Sequence, residues 1–144
     1  MSRCRFVTAD DLDLDEVLDL YASVGWSAYT REPARLRAAL AGSHRVVVAR
    51  APDGDGAALV GLARSISDGA TIVYLQDILV RPAAQRTGLG RELVQTLLSA
   101  YPGVRQQVLI TDTEPGQRAF YESLGLTEAH DMSPGLRAFV RLSG

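Results

Sequence analysis

Apolar residues recur along this chain in two rhythms. Leu14, Val17, Leu18 and Tyr21 fall three or four apart, as do Leu36, Ala39 and Leu40, and again Leu89, Leu93, Val94, Leu97 and Leu98. That spacing lines one face of a helix and predicts three of them. Between them stand short runs rich in β-branched side chains: "RFVTAD" (5–10), "HRVVVARA" (44–51), "ALVGLARSI" (58–66), "TIVYLQDILV" (71–80) and "VRQQVLI" (104–110). These predict strands. "PDGDG" (52–56) and "SDGA" (67–70) are turn signals, so strands two to four form an antiparallel meander. Thr8 and Asp11 make a helix-start pair ahead of the first helix. Pro33 suits the first turn of the second helix and Gly42 its end. The fifth strand is reached through a crossover helix, which predicts that it runs parallel to the fourth. Pro115 opens a further helix that Gly125 stops, and "LTEAH" (126–130) with "LRAFVRLS" (136–143) reads as a closing hairpin. The result is a mixed, mainly antiparallel α/β (α+β) sheet of about seven strands with helices on both faces. No internal repeat, low-complexity tract or linker interrupts it.

Composition narrows the classes. The 144 residues amount to one ordinary domain, 1–144, with 47% apolar and 22% charged residues. The net charge is −2 and all 15 basic residues are arginine. A global basic field for nucleic acid or an anionic membrane is therefore absent. The one cysteine, Cys4, excludes an internal disulfide and a CxxC site. The opening "MSRCRFVTADD" lacks the apolar core of a signal peptide, and no run is long enough to span a bilayer. A soluble, cytoplasmic protein is expected.

The chemistry concentrates in "RPAAQRTGLGRELV" (81–94), directly between a strand and a helix. A helix N-terminus presents unpaired N–H groups and partial positive charge, a ready anion site. Gly88 and Gly90 let the backbone approach a ligand closely, while Arg86 and Arg91 add formal charge. The stretch lacks the lysine of a P-loop and the third glycine of a dinucleotide fingerprint. It fits Gln-x-x-Gly-x-Gly through Gln85, Gly88 and Gly90. The plain alternative is a strand-to-helix turn that binds nothing.

"ILVRPAAQRTGLGRELV" resembles the central motif of the GNAT superfamily of acyl-CoA-dependent N-acetyltransferases. "RAFYESLGL" (118–126) is similar to that family's later "FYE-x-LGF" helix. The resemblance runs from about Arg5 to Leu142. It implies a splay between the fourth and fifth strands, where an acyl thioester sits. It implies acetyl-CoA as co-substrate and no metal. Backbone groups of Ile78, Leu79 and Val80 would hold the pantetheine arm. Gln85, Arg86, Thr87, Gly88, Leu89, Gly90 and Arg91 would form the pyrophosphate loop. Tyr121 matches the tyrosine that protonates the departing thiolate. Glu114 and Gln117 stand where many members carry Asn and Ala, so that contact with the cofactor arm is not carried over. Dimerisation is common in the family, which leaves a homodimer open.

A substrate ammonium must lose a proton before it attacks. Asp77, on the fourth strand, is the best-placed acid, and Asp112 is second, acting directly or through water. Asp77 reads equally well as a structural carboxylate paired with an arginine. His44, His130 and Cys4 read as ordinary structural residues. Trp26 and Tyr29, in "VGWSAYTRE" (24–32), either stack on an amine or seal the core. That segment is loosely similar to arylalkylamine-acetylating members, leaving a small amine, a polyamine or a protein amine as acceptor. The enzyme reading competes with a non-catalytic acyl-CoA-binding module of the same fold.

Overall fold

The predicted helices and the first five predicted strands are present, with shifted ends. The computed structural model describes residues 2–52 and 57–143, so all but the first residue of the turn expected over 52–56 lies outside the described residues. The chain divides into two compact units, Met1–Ile110 and Thr111–Gly144.

The first unit holds β1 (Cys4–Val7), α1 (Leu14–Ser23), α2 (Ser27–Thr30), α3 (Pro33–Gly42), β2 (Arg45–Arg50), β3 (Leu59–Ser67), β4 (Ile72–Val80), α4 (Leu89–Leu98) and β5 (Gln106–Leu109). The sheet order is β1-β2-β3-β4-β5. The first three pairings are antiparallel and β4–β5 is parallel, as a crossover helix requires. The expected Thr8–Asp11 pair exists, with the Thr8 N–H donating to Asp11 Oδ2 at 2.8 Å. It closes a short 3-10 turn, Ala9–Asp11, rather than the first turn of α1.

Period-2 alternation sorts the sheet into two faces. Val46 and Val48 of β2, Leu59 and Leu62 of β3 and Leu79 of β4 pack with Val17, Leu20 and Tyr21 of α1 and with Leu36 and Leu40 of α3. The opposite face meets the buried stripe Leu89, Leu93, Val94 and Leu97 of α4. Gly61 makes that approach close: a Cβ there would stand 2.9 Å from Leu93 Cδ1. Along β4 the pairing jumps from Arg64↔Asp77 to Ser65↔Leu75, leaving Gln76 as an extra bulged residue. Leu79 and Asp77 therefore share the α1 face, while Leu75 and Val73 turn to the other.

The second unit holds α5 (Pro115–Ser123) and a 3-10 turn, Ala129–Asp131. Arg118 draws Glu122, Glu128 and Asp131 together at 2.9–3.2 Å. The closing hairpin expected from 126–130 and 136–143 is absent among the described residues, so the sheet has five strands rather than about seven. Local bonding explains this. The N–H groups of Asp131, Met132 and Leu136 all donate to nearby carbonyls of Glu128 and Ala129. A ladder would need some of those groups, and alternation alone does not supply a partner strand.

Candidate functional site

Between β4 and α4 the chain first makes a 3-10 turn at Pro82–Ala84 and then a left-handed stretch, with Arg86 at φ 63° and Gly88 at φ 83°. Gly88 adopts that conformation without a Cβ penalty and caps α4. Glu92 N–H donates to Gly88 O at 3.1 Å, the first bond of the helix. Leu89 and Gly90, the first two helical residues, have no acceptor within the helix for their amides. Gln85, Arg86, Thr87, Gly88 and Arg91 are exposed, whereas the Leu89 side chain is buried.

Side chains staple this loop into shape. Arg81 donates to Leu59 O at 3.1 and 3.2 Å and pairs with Asp19 at 3.0 Å. Gln85 Nε2 donates to Val80 O at 3.0 Å, and Thr87 Oγ1 to Ala84 O at 2.7 Å. Gln85, expected in the pyrophosphate loop, ties that loop to the strand end through its amide nitrogen. Arg3 completes the frame. Its Nη2 donates to Thr87 O at 3.3 Å and its Nε to Glu92 Oε2 at 2.8 Å, while its backbone N–H donates to Glu92 Oε1 at 2.6 Å. Those Arg3 donors hold the Glu92 carboxyl below its ordinary range.

β4 carries the second half of the site. It pairs with β3 from Val73 to Val80, but with β5 only from Ile72↔Gln106 to Leu75↔Leu109. From Gln76 onward its other edge has no strand partner among the described residues. Ile78, Leu79 and Val80 lie on that free edge and lead directly into the loop. Their side chains alternate between the two sheet faces, with Leu79 buried, so only their backbone groups face along the edge.

Asp77 is 3% exposed. A carboxylate is buried at great cost unless it is hydrogen-bonded and paired, and here it is both. Oδ2 accepts from Arg64 Nε at 2.6 Å and from Tyr21 OH at 2.9 Å, and Oδ1 accepts from Tyr29 OH at 2.8 Å. Arg64, 5% exposed, also donates from Nη1 to Ser43 Oγ at 3.3 Å and from Nη2 to Tyr29 OH at 3.4 Å. Burial pushes the Tyr21 phenol far above its ordinary value, and the neighbouring Asp77 charge adds to the shift. The two readings left open for Asp77 thus meet one geometry, a carboxylate paired with a buried arginine. Tyr21 packs edge-on against Tyr29 and Trp26, with centroids at 4.9 and 5.9 Å, so Trp26 and Tyr29 border the core while staying half-buried.

In the second unit, Tyr121 lies on α5, half-buried and edge-on to Phe120 at 4.9 Å. Burial pushes its phenol up to about 12, with the Asp112 charge adding to the shift, so it keeps its proton throughout the neutral range. Asp112 accepts the Glu114 N–H at 3.0 Å. His44 Nδ1 lies 2.7 Å from Tyr101 OH, which also meets Ser65 Oγ at 2.6 Å. His130 faces Glu128 and Asp131 at 3.5 and 3.3 Å. Cys4 is buried, and burial pushes its thiol up to about 11. No cluster able to hold a metal ion occurs among the described residues, and no helix there is long and apolar enough to cross a membrane.

Sequence reasoning missed Arg64, Tyr21, Ser43 and Arg3. Its spacing places Tyr21 only on the apolar stripe of its helix. A signal for Arg64 does exist: a charged residue in the middle of an otherwise apolar strand requires a partner.

The chain matches the family model described as "Acetyltransferase (GNAT) domain" over residues 41–128. It is 36% identical over 118 residues to an uncharacterized ycf52-like N-acetyltransferase of Prochlorococcus marinus, covering 81% of this chain and 63% of that one. To a protein named serotonin N-acetyltransferase 2, chloroplastic, of Oryza sativa subsp. japonica it is 30% identical over 130 residues, with 90% and 64% covered. The chain thus spans just under two thirds of the length of these curated relatives. Among solved structures, a GNAT family acetyltransferase from Streptococcus pneumoniae superposes with a TM-score of 0.78 at 30% identity, over 97% of this chain and 98% of its own. The chain belongs to the GNAT acetyltransferase family.

Proposed function

We propose that this protein transfers an acetyl group from acetyl-CoA to a primary amine by direct attack within a ternary complex, with residues 1–144 acting as one GNAT domain. The observation that carries the reading is the continuous path formed by the free edge of β4 and the left-handed turn at Gly88 capping α4. In it, the pyrophosphate meets the Leu89 and Gly90 amides under the positive end of the helix. Arg86 and Arg91 supply charge beside it, and the pantetheine arm adds to the Ile78–Val80 edge as an extra strand would. The family's use of acetyl-CoA supports this donor. The ammonium first gives a proton to water; the amine nitrogen then attacks the thioester carbonyl, the carbon–sulfur bond breaks, Tyr121 protonates the leaving thiolate, and the second nitrogen proton, lost through water, restores the phenol. A phenol held protonated at neutral pH suits that step.

An arylalkylamine is the acceptor class we favour, on the strength of the relative named for serotonin acetylation. Release of free thiol from acetyl-CoA, measured against tryptamine, spermidine and a lysine peptide, tests both parts. Thiol release with tryptamine supports the enzyme and the acceptor. Calorimetric binding of CoA without thiol release from any amine would favour a non-catalytic acyl-CoA module. Tyr121→Phe should lower kcat by ~10²-fold or more and leave the CoA Kd unchanged; parental turnover in that variant would remove Tyr121 from the chemistry.

A further inference from the structure

The first residues of the chain reach the anion loop from outside it. Ser2 and Arg3 precede β1, which two strands separate from β4, yet their polar groups end at the start of α4. They take both oxygens of Glu92. Oε1 accepts from Ser2 Oγ at 2.9 Å and from the Arg3 N–H at 2.6 Å, and Oε2 accepts from Arg3 Nε at 2.8 Å. Held so, the guanidinium turns its other nitrogens on Thr87. Nη1 donates to Thr87 Oγ1 at 3.4 Å and Nη2 to the Thr87 carbonyl oxygen at 3.3 Å.

That last bond fixes the direction of a peptide plane. The Thr87 carbonyl and the Gly88 N–H belong to one planar trans unit and point opposite ways. Drawing the oxygen toward Arg3 therefore turns the Gly88 N–H away from Arg3. This N–H has no acceptor among the described residues. Gly88 is left-handed, at φ 83° and ψ 4°, and Leu89 begins the right-handed helix. Successive residues of opposite hand form a concavity into which consecutive N–H groups converge, here those of Gly88, Leu89 and Gly90, and such a concavity takes an anion. A rotated Thr87–Gly88 peptide would put a carbonyl oxygen there instead, against the phosphate.

We infer that Arg3 is a positioning residue for the cofactor site: it sets the Thr87–Gly88 peptide so that the Gly88 N–H joins those of Leu89 and Gly90 on the diphosphate. The inference rests on the proposed use of acetyl-CoA and gives the cradle a support 84 positions away in the chain. Glu92 holds the guanidinium for that task. In return its carboxylate, of the same sign as the diphosphate, stays occupied.

The test follows the Gly88 backbone amide by nuclear magnetic resonance in isotope-labelled protein as CoA is added. Alongside it run the calorimetric CoA Kd and the KM values for acetyl-CoA and for acetyl-pantetheine, which lacks the diphosphate. In the parent, CoA should move the Gly88 amide proton downfield, as a hydrogen bond to a phosphate oxygen does. Arg3 is exposed, so its removal leaves the core untouched. In Arg3→Ala the shift should be lost even at saturating CoA. The CoA Kd and acetyl-CoA KM should rise a few-fold, about what one net hydrogen bond is worth, while the acetyl-pantetheine KM stays put. Adding Glu92→Gln to Arg3→Ala removes the uncompensated carboxylate and should recover no more than part of the loss. Full recovery would reduce Arg3 to a counter-charge and overturn the inference, as would a Gly88 amide that responds to CoA equally with and without Arg3. A parent that binds CoA with the Gly88 shift but releases no thiol to any amine would sink the proposed reaction alone. A parent that binds no CoA would sink both.

Discussion

The loop from Arg81 to Gly90 and the network around Asp77 both handle charge, and they do so in opposite ways. The loop is exposed and works through backbone: left-handed φ values at Arg86 and Gly88, and amides at a helix start. The network is buried and works through side chains, with one carboxylate, one guanidinium and two phenols saturating one another. An exposed backbone cradle needs only conformational permission to exist. A buried charge pair needs every partner in place, since removing one leaves the other desolvated and uncompensated. The two regions should therefore respond differently to substitution, the network in stability and the loop in affinity.

The largest effect is expected at Arg64. Arg64→Met strands the Asp77 carboxylate in the core and should cost about 3–5 kcal/mol in urea-denaturation stability. Adding Asp77→Leu to it should recover much of the loss. A single variant as stable as the parent would show that the network is not the costly arrangement that its burial implies. Next comes Gly88→Val, where a β-branched side chain is forced to φ 83°. Left-handed backbone costs such a residue roughly 1–2 kcal/mol, and a turn that relaxes to avoid it misdirects the amides. A CoA Kd raised about tenfold, against a small drop in thermal midpoint, is the expected pattern by calorimetry and melting. The smallest effect belongs to Arg3→Ala, which unpins Thr87 and leaves Glu92 uncompensated beside the anion site. Exposed pairs contribute ~1 kcal/mol or less, so CoA affinity should weaken by only a few-fold, and the difference should shrink at high salt. Equal affinity at low salt would remove Arg3 from the frame of the loop.

The same contrast explains what could be read from the chain before its structure. The loop is local: Gln85, Gly88 and Gly90 lie within six positions, and the strand and helix that flank it announce themselves by period. The helix predicted from Leu89 onward runs over Leu89–Leu98. The network joins residues 13, 48 and 56 positions apart in the chain, so no window contains it. Asp77 reads from the sequence as either a base or a structural carboxylate, and the partners that surround it lie outside any local window. Alternation in 136–143 suggested a strand, yet Leu136, Phe139, Val140 and Leu142 are all exposed and no ladder forms among them. An apolar pattern states which residues prefer burial; it does not state what covers them.

Gln76 has a consequence of its own. As a single extra residue it inverts odd and even along β4, so Asp77 lies with Leu79 on one side while Leu75 and Val73 lie on the other. Loss of that one codon would join Leu75 directly to Asp77, and because these two already face opposite sides the shortened strand would alternate without a break, each side chain keeping its face. A shortened gene of this kind should still yield folded protein, with a ladder to β3 that runs straight where it now bends.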